Sequence, residues 1–153
     1  MLLHSLFPKA GFLPMTPPRI LLVEDNPIDV KMIKRALKLG GITEEPHVMN
    51  DGAPAIALLS RQKDYEEIPL PNLVVLDLNL ITVDGGEVLS FIRQTSALDH
   101  VTVIILSSTP SDVVRKSHSQ ADCYFVKPFD LASFEILGRQ ILDCYSRSGR
   151  KPS

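Results

Sequence analysis

Two adjacent acids, Glu24 and Asp25, a third acid at Asp77, the hydroxyls Ser107 and Ser108, and Lys127 before Pro128 are the groups of this chain best placed for chemistry. Each directly follows a short apolar run: Ile20-Leu21-Leu22-Val23, Leu73-Val74-Val75-Leu76, Val103-Ile104-Ile105-Leu106 and Tyr124-Phe125-Val126. Runs this apolar and β-branched read as strands buried on both faces, as in a parallel sheet. In an open α/β sheet the ligand site lies outside the carboxyl ends of the strands. Three carboxylates, a hydroxyl and an amine are therefore expected at one edge of one sheet. Such a set suits a divalent cation and a phosphoryl group.

Three carboxylates at one strand edge repel one another unless a counter-ion is present. Mg²⁺ removes that repulsion, binding one or two carboxylates while keeping waters and a phosphate oxygen. A single strand-end Asp is commonly a helix cap, but Glu24-Asp25 together with Asp77 exceeds what capping requires. A carboxylate can also act as a nucleophile toward phosphorus, forming an aspartyl-phosphate. That reaction depends on positioning and charge neutralisation around the phosphoryl group in flight. Lys127 would meet the phosphoryl oxygens and Ser107 would donate a hydroxyl. A cis Lys127-Pro128 bond is expected to aim the amine back at the site.

The elements that must position these groups alternate strand and helix along the chain. Asn26 and Pro27 start a helix that carries Ile33, Ala36 and Leu37 inward and stops at Gly40-Gly41. A short strand at His47-Val48-Met49 leads to a turn at Asp51-Gly52 and a helix over 54–60. Residues 61–72 read as a surface loop. Beyond Asp77, Gly85-Gly86 opens a helix with Val88, Leu89 and Ile92 buried. Ser111 caps a helix reaching His118, and Asp130 caps a last helix reaching Tyr145. The prediction is five strands and five helices in a flavodoxin-like, doubly wound α/β sheet, (βα)5. Residues 1–17 form an extension, either a loosely attached arm or a leader before a natural start at Met15. Residues 18–146 form the domain, and 147–153 a basic tail, frayed from Ser146 onward.

With 153 residues, 44% of them hydrophobic and 22% charged, the chain has one domain's worth of core. A net charge of -2 gives no support to a nucleic-acid surface. No apolar run is long enough to span a bilayer, and the first residues lack the basic start of a secretory signal. A cytoplasmic protein is expected, with Cys123 and Cys144 as reduced thiols. His4, His47, His100 and His118 show no metal spacing and read as surface or loop residues. On the last helix Phe134, Leu137 and Ile141 face the core, while Ile136, Leu142 and Tyr145 widen the apolar arc, toward the core or toward a partner.

The segments ILLVEDNPIDV, VVLDLNL, ILSS and YFVKPF, in this order, resemble those of two-component response-regulator receiver domains, the CheY-like superfamily. The resemblance covers nearly the whole chain. It implies a single-domain phosphorelay regulator in which Asp77 is the phosphoacceptor for a sensor histidine kinase. It further implies Mg²⁺ held by Asp25 and Asp77, by Glu24 largely through water, and by the backbone carbonyl of Asn79. Ser107 and Lys127 would bind the phosphoryl oxygens, and Tyr124 would be the aromatic switch that moves with the hydroxyl. The segment EDNPIDV and the long loop before the third strand are similar to those of the small regulators that partner bacterial phytochromes, many of which form homodimers through the last strands and helices. No nucleic-acid or membrane partner is implied.

The chain also departs from that pattern. Ile81 stands where a proline is common, so the loop after Asp77 is expected to be less rigid. The interval from Ser107 to Lys127 is short, which affects the segment that normally carries the switch, and Gln120 replaces a helix-ending glycine. Two other readings compete. One is a receiver-like interaction module not governed by phosphorylation. The other is a phosphohydrolase of the haloacid-dehalogenase type, which needs a general acid where this chain has Asn79. The receiver is otherwise not expected to be an enzyme beyond its own phosphorylation and dephosphorylation.

Overall fold

The computed structural model describes residues 17–150; nearly all of the expected N-terminal extension and the last three residues lie outside it. Five strands alternate with five helices: β1 (Ile20–Val23), α1 (Pro27–Leu39), β2 (His47–Met49), α2 (Gly52–Leu59), β3 (Leu73–Leu76), α3 (Gly85–Gln94), β4 (Thr102–Ser107), α4 (Ser111–Ser117), β5 (Cys123–Val126) and α5 (Leu131–Arg147). Short 3-10 turns at Lys63–Tyr65 and Ser96–Leu98 interrupt the connections that lead into β3 and β4. The sheet is wholly parallel in the order β2-β1-β3-β4-β5. The chain winds outward from β1 to β2, then returns to the other side of β1 for β3. The reversal point is therefore the crevice between the ends of β1 and β3, where doubly wound sheets bind ligands.

Strand residues divide strictly by face. Leu21, Val23, Val74, Leu76, Val103 and Ile105 pack under α2, α3 and α4 through Ala55, Leu58, Val88, Leu89, Ile92 and Val114. Ile20, Leu22, Leu73, Val75, Ile104 and Leu106 pack under α1 and α5 through Ile33, Ala36, Leu37, Phe134, Leu137 and Ile141. The period of two places alternate side chains in two cores, which is why the strand runs are apolar throughout. On α5, Leu142 and Tyr145 pack toward this second core, and Ile136 alone of the wider arc is exposed.

The helix ends follow local chemistry. Asn26 Oδ1 accepts from the amides of Ile28 (2.8 Å) and Asp29 (3.2 Å), and Pro27 takes the first helical position. At the far end Ile42 N–H donates to Leu37 O (2.9 Å) and Gly41 N–H to Lys38 O (3.1 Å), with Gly41 at φ +101°. Helix α2 starts at Gly52, earlier than expected, because Asp51 is its cap, and Pro54 fits in a first turn that needs no amide donor there. The residue flanking α4 is Pro110, and Ser111 lies inside the helix. Helices α1 and α5 cross where a Cβ on Gly138 would run into the Ala36 carbonyl.

Three sequence expectations are overturned. Cys123 and Cys144 are joined in a disulfide, with Cα atoms 6.5 Å apart. They lie twenty-one residues apart, and only the packing of α5 over β5 brings them together. The Lys127-Pro128 bond is trans, as is every described peptide bond. No cis bond is needed because the Lys127 amide donates to Ser107 O (2.9 Å), extending the sheet by one residue and holding the side chain at the strand edge. The residues after Ser146 are not frayed as far as Arg150. Ser148 Oγ and Thr102 Oγ1 lie 2.8 Å apart, and Arg150 Nε reaches Asp122 Oδ1 (2.7 Å).

Candidate metal and phosphoryl site

The register sets the site. Val23 pairs with Leu76, so Glu24 and Asp77 leave adjacent strands side by side, and the Asp77 amide donates to Val23 O (3.0 Å). Ser107 pairs with Val126, which places Lys127 one residue beyond β4. Glu24, Asp77 and Ser107 are all buried, and Asp25 is half-buried at the opening. One carboxylate oxygen each from Glu24, Asp25 and Asp77 lie within 4.8 Å of one another. An all-oxygen, triply acidic set of this kind matches the donors that a hard divalent cation takes.

Lys127 reaches into this acidic group. Its Nζ lies 2.8 Å from Glu24 Oε1, 3.3 Å from Asp77 Oδ2 and 3.1 Å from Asp29 Oδ2. The Glu24 contact is a close ion pair between two largely buried side chains. Burial is the main reason the Glu24 carboxyl is pushed up to about 7; Lys127 opposes the shift and the Asp77 charge adds to it. Burial alone would pull the Lys127 ammonium down, but its carboxylate partners outweigh that and hold it above the ordinary lysine range. One ammonium does not neutralise so many acids, which is the electrostatic condition a bound cation relieves.

The remaining expected groups are placed as follows. Asp77 Oδ1 accepts from the Asn79 amide (3.2 Å), and Asn79 itself is exposed on the cleft. Ser107 Oγ accepts from the Thr109 amide (3.1 Å). Tyr124 lies away from the acids. Its ring is buried under α4 with the Arg115 guanidinium 4.9 Å from the centroid, and its hydroxyl donates to His118 O while accepting from the Ala121 amide (3.2 Å).

Three contributors were not foreseen from sequence. Asp29 sits one helical turn beyond Asp25 in the first turn of α1, a spacing that sends its carboxylate back over the strand ends. Asp51 accepts from the Thr82 amide (3.1 Å) and the Thr82 hydroxyl, and the Thr82 hydroxyl chiefly holds its carboxyl below the usual range. This tether joins the loop that carries Ile81 to the start of α2. His118 lies over Gly86 beside Asp84, on the rim of a cleft of about 450 Å³ that Asp25 and Asn79 also line. Gly85 is required for another reason: a Cβ there would strike the Asp77 carbonyl.

Residues 20–136 match the response regulator receiver domain family. The chain belongs to that family. It is 39% identical to the response regulator Rcp1 of Synechocystis over 118 residues, 75% of this chain and 80% of Rcp1. It is also 39% identical over 124 residues to the probable methanogenesis regulatory protein FilR2 of Methanothrix harundinacea, 80% of this chain and 77% of that one. The fold matches the phosphorylated cyanobacterial phytochrome response regulator RcpA with a TM-score of 0.78 at 30% identity, over 90% of this chain and 100% of RcpA. It matches the Mn²⁺-bound form of Rcp1 with a TM-score of 0.76 at 34% identity, with the same coverage. The five-stranded parallel sheet is thus a receiver sheet, and the Glu24, Asp25 and Asp77 cluster is the acidic site of a receiver domain with the donors for a divalent cation. Among the described residues no helix is long and apolar enough to cross a membrane.

Proposed function

We propose that this receiver domain takes a phosphoryl group from the phosphohistidine of a sensor histidine kinase onto Asp77. The observation that carries the reading is the Lys127 ammonium, seated between Glu24 and Asp77 at the end of the sheet, with Ser107 on the neighbouring strand. An Asp77 carboxylate oxygen forms the new bond to phosphorus in line with the breaking phosphorus–nitrogen bond, whose electron pair leaves on the kinase imidazole. Lys127 meets the negative phosphoryl oxygens and Ser107 donates its hydroxyl. Asp25, Asp77 and the Asn79 carbonyl would hold Mg²⁺, with Glu24 acting largely through water. A bound Mg²⁺ would supply positive charge to the phosphoryl oxygens at these carboxylates.

Asn79 provides no general acid for turnover of phosphomonoesters, which favours a phosphoacceptor over a phosphohydrolase. The similarity to phytochrome response regulators supports a phytochrome-like kinase as donor, working in the cytoplasm. Val126, Phe129, Leu131 and Ile136 leave apolar side chains exposed on β5, α5 and the loop between them. That surface suits a homodimer or a downstream protein whose binding changes on phosphorylation. In this reading the Tyr124 hydroxyl, which bonds to the His118 carbonyl at the end of α4, carries that change.

The test is labelling by a small phosphodonor with Mg²⁺. Wild type should take up one phosphoryl group, and Asp77→Asn none. Equal labelling of the two would defeat the reading. If beryllofluoride left partner binding unchanged, an interaction module independent of phosphorylation would replace it.

A further inference from the structure

The Cys123–Cys144 disulfide ties the first residue of β5 to the C-terminal part of α5. Nothing in the phosphoryl site uses it. Cys144 is buried between α5 and the sheet, whereas Cys123 is half-buried. Both line an open groove of about 540 Å³, together with Asp122, Gln140, Asp143 and Arg147. Thiol–disulfide exchange needs a thiolate to reach one of the two sulfurs. A purely structural bridge is commonly shut inside the core, but this one borders a groove that a small thiol can enter.

The segment closed by the bridge contains all of β5, Lys127, Pro128 and most of α5. Other contacts keep the two elements in register when the sulfurs part. Arg150 Nε binds Asp122 Oδ1 (2.7 Å), its Nη1 binds Asp99 O (3.0 Å), and Ser148 Oγ meets Thr102 Oγ1 (2.8 Å). Upstream, Gly138 rests on the Ala36 carbonyl. The two thiols therefore stay close enough to re-form the bond. Those are the conditions for a reversible bridge.

We propose that Cys123 and Cys144 form a reversible redox modification site, whose reactant is a thiol or disulfide and which sets how firmly α5 is held to β5. In reduction, a dithiol's thiolate bonds to Cys123 Sγ, and the Cys123–Cys144 bond breaks with its electron pair leaving on Cys144, which takes a proton. The reductant's second thiolate then displaces Cys123, which is protonated in turn. Two electrons and two protons pass to the protein, and the dithiol becomes a disulfide. Oxidation by a low-molecular-weight disulfide runs the same steps backward and releases two thiols. A chain in a reducing compartment would hold the dithiol and form the bridge on oxidation. Asp77 takes no part, so the site is independent of the phosphoryl reading.

The experiment equilibrates the folded full chain in dithiothreitol buffers of varied thiol-to-disulfide ratio, without denaturant, followed by alkylation and intact mass. Both cysteines should titrate together, return on reoxidation and leave the far-UV circular dichroism unchanged. Amide exchange over residues 139–147 should become several-fold faster in the reduced form, while 27–39 stays protected. Refusal to reduce under native conditions would overturn the proposal, as would two separate mixed adducts in place of a paired bridge. Equal exchange in the two forms would also overturn it. The Cys123→Ser/Cys144→Ser double variant should match the reduced form in every buffer. If that variant does not fold, native reduction of wild type still decides the matter.

Discussion

Lys127 Nζ hydrogen-bonds Asp29 Oδ2 at 3.1 Å, across a sequence separation of 98. The lysine at the end of β5 is thus shared between the acids of the site and a fourth carboxylate on α1. Asp29 is only partly buried, so the pair is screened and contributes less than about 1 kcal/mol. Its consequence lies in competition. Phosphoryl oxygens arriving at Asp77 must draw the ammonium away from Asp29.

Asp29→Asn is therefore expected to raise the rate of phosphoryl uptake from a small donor by about threefold, the equivalent of well under 1.4 kcal/mol. The gain should vanish when Lys127→Ala is added, because the competition acts through the ammonium. Initial rates of labelling on the four proteins of the cycle check this.

Glu24 gives the metal-free protein a pH dependence. Its carboxyl is raised from 4.5 to about 7, chiefly by burial, so the folded state holds that proton more tightly than the unfolded state. Stability from this group is full below pH 4.5 and is lost as pH rises through about 7, on the order of 3 kcal/mol. Urea midpoints of metal-free protein should fall over that window. Glu24→Gln should flatten the fall, and saturating Mg²⁺ should flatten it for wild type.

Tyr124→Phe removes a hydroxyl that bonds to the His118 carbonyl and the Ala121 amide. Both partners lie where α4 ends and β5 begins, so the loss should cost about 1–2 kcal/mol and loosen α4 first. Amide exchange over 111–118 should rise while phosphoryl uptake stays within about twofold, because the ring is remote from the acids.

Gly138→Ala places a methyl against the Ala36 carbonyl at the crossing of α1 and α5. Backbone cannot yield there without parting the helices. A loss of about 2–3 kcal/mol is expected, read as a lower melting temperature with the Asp77 site still able to take label.

Much of this was legible in the sequence because it is local. Four apolar runs, each closed by a polar group, define parallel strands, three buried on both faces while β5 is a half-exposed edge, and a doubly wound sheet has only one edge where such groups can meet. That logic alone brings Glu24, Asp25, Asp77 and Lys127 together. Caps at Asn26 and Asp130 follow from residue type alone, since each needs only its own next turn.

What the tertiary structure decided are pairings between distant parts of the chain. No local signal places Cys144 against Cys123, Asp29 against Lys127, Arg150 against Asp122, or Asp51 under Thr82. Each depends on how a helix lies across the sheet, which is set by the sum of many small contacts in two cores rather than by any one residue. A sheet edge is dictated by strand composition. The partner that a side chain meets beyond that edge is dictated by helix packing, and this is why the acids of the site were readable while the fourth carboxylate, the trans proline and the disulfide were not.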